Sequence, residues 1–276
     1  MSTQPLRSPW AVGLANHLNL QSFPFHAEQI VTSAGLYQGL FSVISPVASR
    51  WLAPDTYNKL PEETRVNWDS RVVGFVQAAF ISYQALSVIF TDPSRPDATV
   101  HQRLWGYSAR VGKVQAYLAG YFLWDICVST RYMSQYGFSA IVHAVCAFLI
   151  TMVGFRPFAN YYGVNFVLYE LSTPFLNVHW MLDKLGMTGS NLQLYNGIAL
   201  VSTFFGCRLV WGSYQTWLLT QDMLSAWRSG PVPNLLFGTY LLSNTTLTCL
   251  NFYWFGKMIQ AIRKRFDSSE NKEDHT

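Results

Sequence analysis

The chain has 276 residues, enough for one large domain or two small ones. Half of it is hydrophobic and 12% is charged, about half the charged fraction of an ordinary soluble domain. A net charge of +4 without a basic stripe argues against nucleic-acid binding. The aromatic share of 16%, with 10 Trp and 15 Tyr, suits a chain that meets membrane–water interfaces.

In chain order, the N-terminal MSTQPLRSPW has no apolar core beside its basic residue, so no cleavable signal peptide is expected. Seven stretches then approach the ~20 apolar residues needed to cross a bilayer. The first runs from about Ile30 to Trp51 and is the weakest, broken by Gly35, Gly39 and Pro46. The second is VVGFVQAAFISYQALSVIF, stopped by Asp92-Pro93. The third is VQAYLAGYFLWDICVST and the fourth GFSAIVHAVCAFLITMVGF. The fifth runs from about Phe158 to Leu182, the sixth is LYNGIALVSTFFGCRLVWGSYQTWLL, and the seventh runs from Leu235 to about Ile262.

The expected fold is therefore all-α: a polytopic transmembrane bundle of six or seven spanning helices. Its organisation is an N-terminal segment (1–29), a first hydrophobic helix and loop (30–65), a transmembrane domain (66–266) and a disordered charged tail (267–276). With seven spans and the tail in the cytosol, the inner side holds 11 Lys and Arg and the outer side 7, while Arg208 lies inside a span. The trio Arg263, Lys264 and Arg265 reads as a cytoplasmic stop anchor.

Four ionisable residues fall within apolar stretches: Asp125, His143, Glu170 and Arg208. Such groups are costly in hydrocarbon and face a bundle interior or a cavity. Other polar residues follow them at helical spacing. Gln77 and Gln84 are seven apart; Glu170, Pro174 and Asn177 share a face; Tyr240, Asn244, Thr248 and Asn251 form a stripe. Two readings stay open. Either these groups tie helices together, or they line a chamber that receives a lipid. The chamber reading names Gln77, Asp125, His143, Glu170, Asn177, Arg208 and Asn251. Pro174 is expected to kink the fifth stretch and to leave the Glu170 carbonyl without its amide donor. Glu170 is then either paired with Arg208 or protonated.

Metal and cofactor chemistry lack a motif. His143 and Cys146 (HAVC) are too few for a zinc site, and no Gly-rich phosphate loop or GxSxG appears. No metal or cofactor is expected. The four cysteines form no CxxC and read as buried apolar residues, and His101 and His179 as loop or interface residues.

The strings NWDSRVVGFVQA (67–78), GYFLWD (120–125), FSAIVHAV (138–145), ELSTPFLNVHWML (170–182) and LNFYWFGKMIQAIRKRF (250–266) carry a resemblance. Over residues 66 to 266 the chain resembles the TLC-domain membrane proteins, which include the ceramide synthases. ELSTPFLN is more like the lipid-regulating, non-synthase branch. The resemblance implies an endoplasmic-reticulum or other endomembrane protein, acting in lipid homeostasis by binding or sensing a lipid. It also implies an alternative, an acyl-CoA-dependent N-acyltransferase. His143 matches the first of the synthases' paired histidines, but Ala144 follows it, and Gln77 stands where branch relatives carry a histidine. His143 as base, oriented by Asp125, would then do the chemistry. The implied partners are a membrane lipid or acyl-CoA. Oligomeric state is left open.

Overall fold

A computed structural model describes residues 8–230 and 234–273, with side chains described as far as Arg263. Arg7, the last three residues and the side chains of Lys264 and Arg265 lie outside that description. Among the described residues every regular element is helical.

A short α1 (Pro9–Leu18) precedes α2 (Ala27–Leu52), the weak first stretch, which is one continuous helix. It absorbs Pro46 through a π-helical turn at Leu40–Ile44. The wider turn accommodates a residue that cannot donate to the usual carbonyl. Next come α3 (Glu62–Thr91), a short α4 (Val100–Trp105), α5 (Ala109–Arg131) and α6 (Phe138–Val153). The fifth stretch divides into α7 (Asn160–Val167), a 3-10 turn (Leu168–Ser172) and α8 (Thr173–Lys184). Then follow α9 (Asn191–Ser229) and α10 (Asn234–Glu273).

Three of these helices, α2, α3 and α9, are long and apolar enough to cross a membrane, and α6 is apolar but shorter. The backbone of α10 is helical through 267–273, where the sequence suggests a disordered tail. Glu270, Lys272 and Glu273 are good helix formers that continue an existing helix.

The packing closes into a ring. α5 packs against α3 and α6, α6 against α10, α10 against α9, and α9 against the broken α7–α8 unit, which returns to α3. α2 lies outside the ring along α5. The two approach closely at Gly120, where a Cβ would run into Ser33 and the Ile30 carbonyl. The far end of α2 is pinned to the start of α3. Ser45 Oγ and Tyr57 OH donate to Asp69 at 2.6 and 2.8 Å, and Trp68 Nε1 donates to Ser49 Oγ at 2.9 Å. Trp68 and Asp69 of the NWDSR string are therefore a clasp between helices.

Candidate functional site

The ring encloses a cavity of about 100 Å³, walled by α5, α6, α7, the 3-10 turn, α9 and α10. Most of its wall is apolar, with Leu118, Phe122, Ala147, Ile150 and Leu247 among the lining residues. The polar groups are Gln115, His143, Thr151, Tyr169, Glu170, Arg208, Tyr240, Asn244 and Asn251. For comparison, a dry cavity of about 150 Å³ accepts a benzene molecule. This space therefore admits part of a lipid and not a whole one.

Arg208 organises the polar end. It sits in a π-helical turn (Phe205–Trp211) inside α9. π-Turns of this kind recur at functional sites. Its Nε donates to the Tyr169 carbonyl and to Ser172 Oγ, each at 3.0 Å. Nη1 donates to Asn251 Oδ1 at 3.2 Å, and Nη2 to Thr173 Oγ1 at 3.0 Å. One guanidinium thus ties α9 to the 3-10 turn, to the start of α8 and to α10. The Phe204 ring lies 5.0 Å from it.

The break ahead of Pro174 differs from the expected one. The Thr173 amide donates to the Glu170 carbonyl, so that carbonyl is not free. The 3-10 turn moves each donor from the fourth to the third residue back. The Tyr169 carbonyl, no longer paired with the Thr173 amide, accepts from Arg208 Nε at 3.0 Å and from Ser172 Oγ at 3.1 Å. The Glu170 carboxylate makes no hydrogen bond among the described residues. Its Oε1 lies 3.9 Å from Arg208 Nη2, an ion pair without a hydrogen bond.

His143 also lines the cavity, edge-on to Trp254 at 5.2 Å and to Phe122 at 6.0 Å. Its Nδ1 is buried with no partner among the described residues. The orienting bond from Asp125, required by the acyltransferase alternative, is absent. Asp125 instead accepts from Ser129 Oγ at 3.0 Å. Those two residues are one helical turn apart on α5, so the nearest donor satisfies the carboxylate. Ala144, which stands where the synthases have their second histidine, is fully buried, and no imidazole fits there without displacing its neighbours.

Of the seven residues expected to line a chamber, His143, Glu170, Arg208 and Asn251 meet at this cavity. Gln77, Asp125 and Asn177 are not among its lining residues. Gln77 is completely buried, and neither end of its amide has a partner among the described residues. Asn177 packs against Gly74, where α8 meets α3, and accepts from Arg71 Nη1 at 3.4 Å. His101 and His179 lie on α4 and α8 and not in loops. Among the described residues no cluster of His, Cys, Asp and Glu could hold a metal ion.

Sequence reasoning missed Gln115 and a second buried cluster. Gln115 presses against Gly154 and Gly163, positions where a Cβ would collide with its amide, and its Oε1 has no partner. Below the cavity, Arg103 forks onto Asp222 at 2.6 and 2.7 Å, and Tyr162 OH donates to the same carboxylate at 2.5 Å. Asp222 holds the Arg103 guanidinium above its ordinary pKa. The available signal was weak: a single aspartate near the end of a long apolar helix.

Sequence comparison adds a family context to this geometry. The family described as TLC domain matches residues 67–260. An uncharacterized TLC domain-containing protein of Schizosaccharomyces pombe is 38% identical over 250 residues, covering 91% of this chain and 83% of the relative. Topoisomerase I damage affected protein 4 of Saccharomyces cerevisiae is 28% identical, covering 87% and 85%. TLC domain-containing protein 4 of Xenopus tropicalis is 28% identical, covering 85% and 90%.

Proposed function

From the premise that this chain belongs to the TLC-domain family of membrane proteins, on its non-synthase side, we propose that it acts in lipid homeostasis by binding or sensing a membrane lipid in the ring cavity. The endoplasmic reticulum or another endomembrane is its place in this reading, with the C-terminus in the cytosol. The observation that carries the proposal is the pairing of an apolar wall with polar groups left open. Among the described residues Glu170 has no hydrogen bond and His143 Nδ1 has no partner, while all three side-chain nitrogens of Arg208 donate to protein groups. Buried polar groups without partners are costly. A ligand's hydroxyl or amide group can satisfy these, with its chain against Leu118, Phe122 and Leu247.

Binding is favoured over acyl transfer because the His143–Asp125 bond is not made and Ala144 occupies the second histidine's place. The test is lipid analysis of the protein purified in nanodiscs. The reading predicts a lipid class that co-purifies and exchanges with added lipid. Protein that is folded and carries no exchangeable lipid refutes it.

One observation favours the acyltransferase alternative: the free imidazole nitrogen of His143 stands in the cavity. Labelled acyl-CoA supplied with amine acceptors tests it. N-acyl product that vanishes in His143→Ala would establish transfer by a single imidazole.

A further inference from the structure

A second pocket, of about 270 Å³ with a mixed polar and apolar wall, lies where α3 ends and α5 and α7 begin. Its wall includes Asp92, Arg95, Tyr107, Ser108, Asn160 and Tyr161, and it shares no lining residue with the ring cavity. None of the five strings that carry the family resemblance contributes a lining residue to it.

Two of these side chains are more than nine-tenths buried and incompletely used. Arg95 is 8% exposed. Its Nη2 donates to Asn165 Oδ1 at 2.6 Å and to the Tyr161 carbonyl at 3.1 Å, and its guanidinium lies 4.2 Å from the Tyr161 ring. Nε and Nη1 donate to no described residue. Asn160 is 2% exposed; its Nδ2 reaches the Gly106 carbonyl at 3.5 Å, and its Oδ1 has no partner. The pocket thus holds an unused cationic donor and an unused neutral acceptor.

Two further features sharpen the ligand chemistry. Ser108 and Val111 line the pocket at the N-terminus of the 23-residue α5, and the Ser108 side chain makes no capping bond. First-turn amides without a cap favour an anion. Asp92 stands nearby as a fixed negative charge, its oxygens engaged by the Ser94 amide and hydroxyl and by Ser108 Oγ. It disfavours a bare anion and favours a ligand that carries its own positive or donor group. The location fits such a group. Helix α3 is long and apolar enough to cross a membrane and stops at Thr91, which places the pocket at headgroup depth.

We propose that this pocket binds a phosphate ester bearing an amino donor, of the phosphoethanolamine type. The phosphate meets Arg95 and the α5 N-terminus, and the donor meets Asn160 Oδ1. The ester is supplied either by a lipid headgroup or by a soluble metabolite of the same chemistry.

The test uses the full chain in phosphatidylcholine nanodiscs, titrated calorimetrically with glycerophosphoethanolamine and with glycerophosphocholine, which lacks an N–H donor. In parallel, phosphatidylethanolamine is added to the nanodiscs, and retained lipid is read by native mass spectrometry. Preferential binding of glycerophosphoethanolamine supports the proposal with a soluble ligand. Preferential retention of phosphatidylethanolamine without binding of the free compound supports it with a lipid headgroup. Arg95→Gln should weaken either by about tenfold, the scale of one charge-assisted bond. Arg95 also holds Asn165, so a folding failure is possible in that variant, and Asn160→Leu provides the independent readout. It should erase the preference for the ethanolamine form while leaving the protein folded. No binding in either format, equal binding of the ethanolamine and choline forms, or a preference untouched by Asn160→Leu overturns the proposal.

Discussion

Arg208 and Glu170 stand 3.9 Å apart in the middle of the ring, yet they share no hydrogen bond. The arginine spends its donors on Tyr169, Ser172, Thr173 and Asn251. The glutamate is left beside a cation and facing a cavity. The opposite charges keep the acid tolerable at this depth, and the missing bond keeps its oxygens available.

This division of roles predicts unequal mutants. Arg208→Met removes the arginine's bonds to one carbonyl, two hydroxyls and one amide and strands Glu170. It should cost about 3 kcal/mol or more in thermal unfolding of the reconstituted protein. Glu170→Gln breaks no hydrogen bond but removes the charge beside Arg208, so it should cost less than Arg208→Met, while changing the lipid that is retained. A larger stability loss for Glu170→Gln than for Arg208→Met contradicts the assignment.

Pro174→Ala tests the break itself. An amide at position 174 can donate to the Glu170 carbonyl in α geometry, which returns the Thr173 amide to the Tyr169 carbonyl. That amide then competes with Arg208 Nε and Ser172 Oγ for the Tyr169 carbonyl. The variant should show slower amide exchange over 170–174 and weaker lipid retention. Faster exchange there, or unchanged retention, argues against the account.

Much of this was readable from the residues. Seven apolar stretches became the helices of the bundle, and the costly acid, histidine and arginine within them led to the cavity, joined by Asn251. What stayed hidden was register. A π-turn at Arg208 and a 3-10 turn at 168–172 each shift which carbonyl lacks a donor. A uniform 3.6-residue count cannot locate such shifts, so it pointed to the Glu170 carbonyl, which the Thr173 amide satisfies, whereas Arg208 reaches that of Tyr169. The same count put Asn177 on the Glu170 face, whereas it packs between α3 and α8. Asp222 escaped because its partners, Arg103 and Tyr162, lie 119 and 60 residues away. Pairing at that distance leaves no local pattern.

Asp222→Asn should loosen the junction of α4, α7 and α9. It removes the charge that Arg103 forks onto and weakens the bond from Tyr162. Arg103 is 27% exposed along its side chain, so solvent offsets part of the loss. A cost of about 2 kcal/mol is expected. Unfolding midpoints in the same nanodiscs measure it, and a neutral result removes the cluster's structural role.

The loop after α3 should be acid-sensitive. Hydrogen bonds from Ser94, foremost its hydroxyl, hold the Asp92 carboxyl below its ordinary pKa. A depressed folded pKa gives stability that is present above the unfolded pKa and lost as pH falls through the folded one. Loop protection in hydrogen exchange should therefore decline below about pH 4. Asp92→Asn should flatten that decline. An identical pH profile in the variant contradicts the role given to Asp92.

The most direct test fills the ring cavity. Ala147 lines it and is 7% exposed, so Ala147→Phe projects a ring into the space that the lipid is held to occupy. Leu247→Phe does the same from α10 and guards against a folding failure of the first variant. Lipid retained by wild type and by each folded variant is quantified after purification in identical nanodiscs. The account predicts a specific lipid class bound to wild type and lost from the filled variants. Equal retention in all three contradicts it.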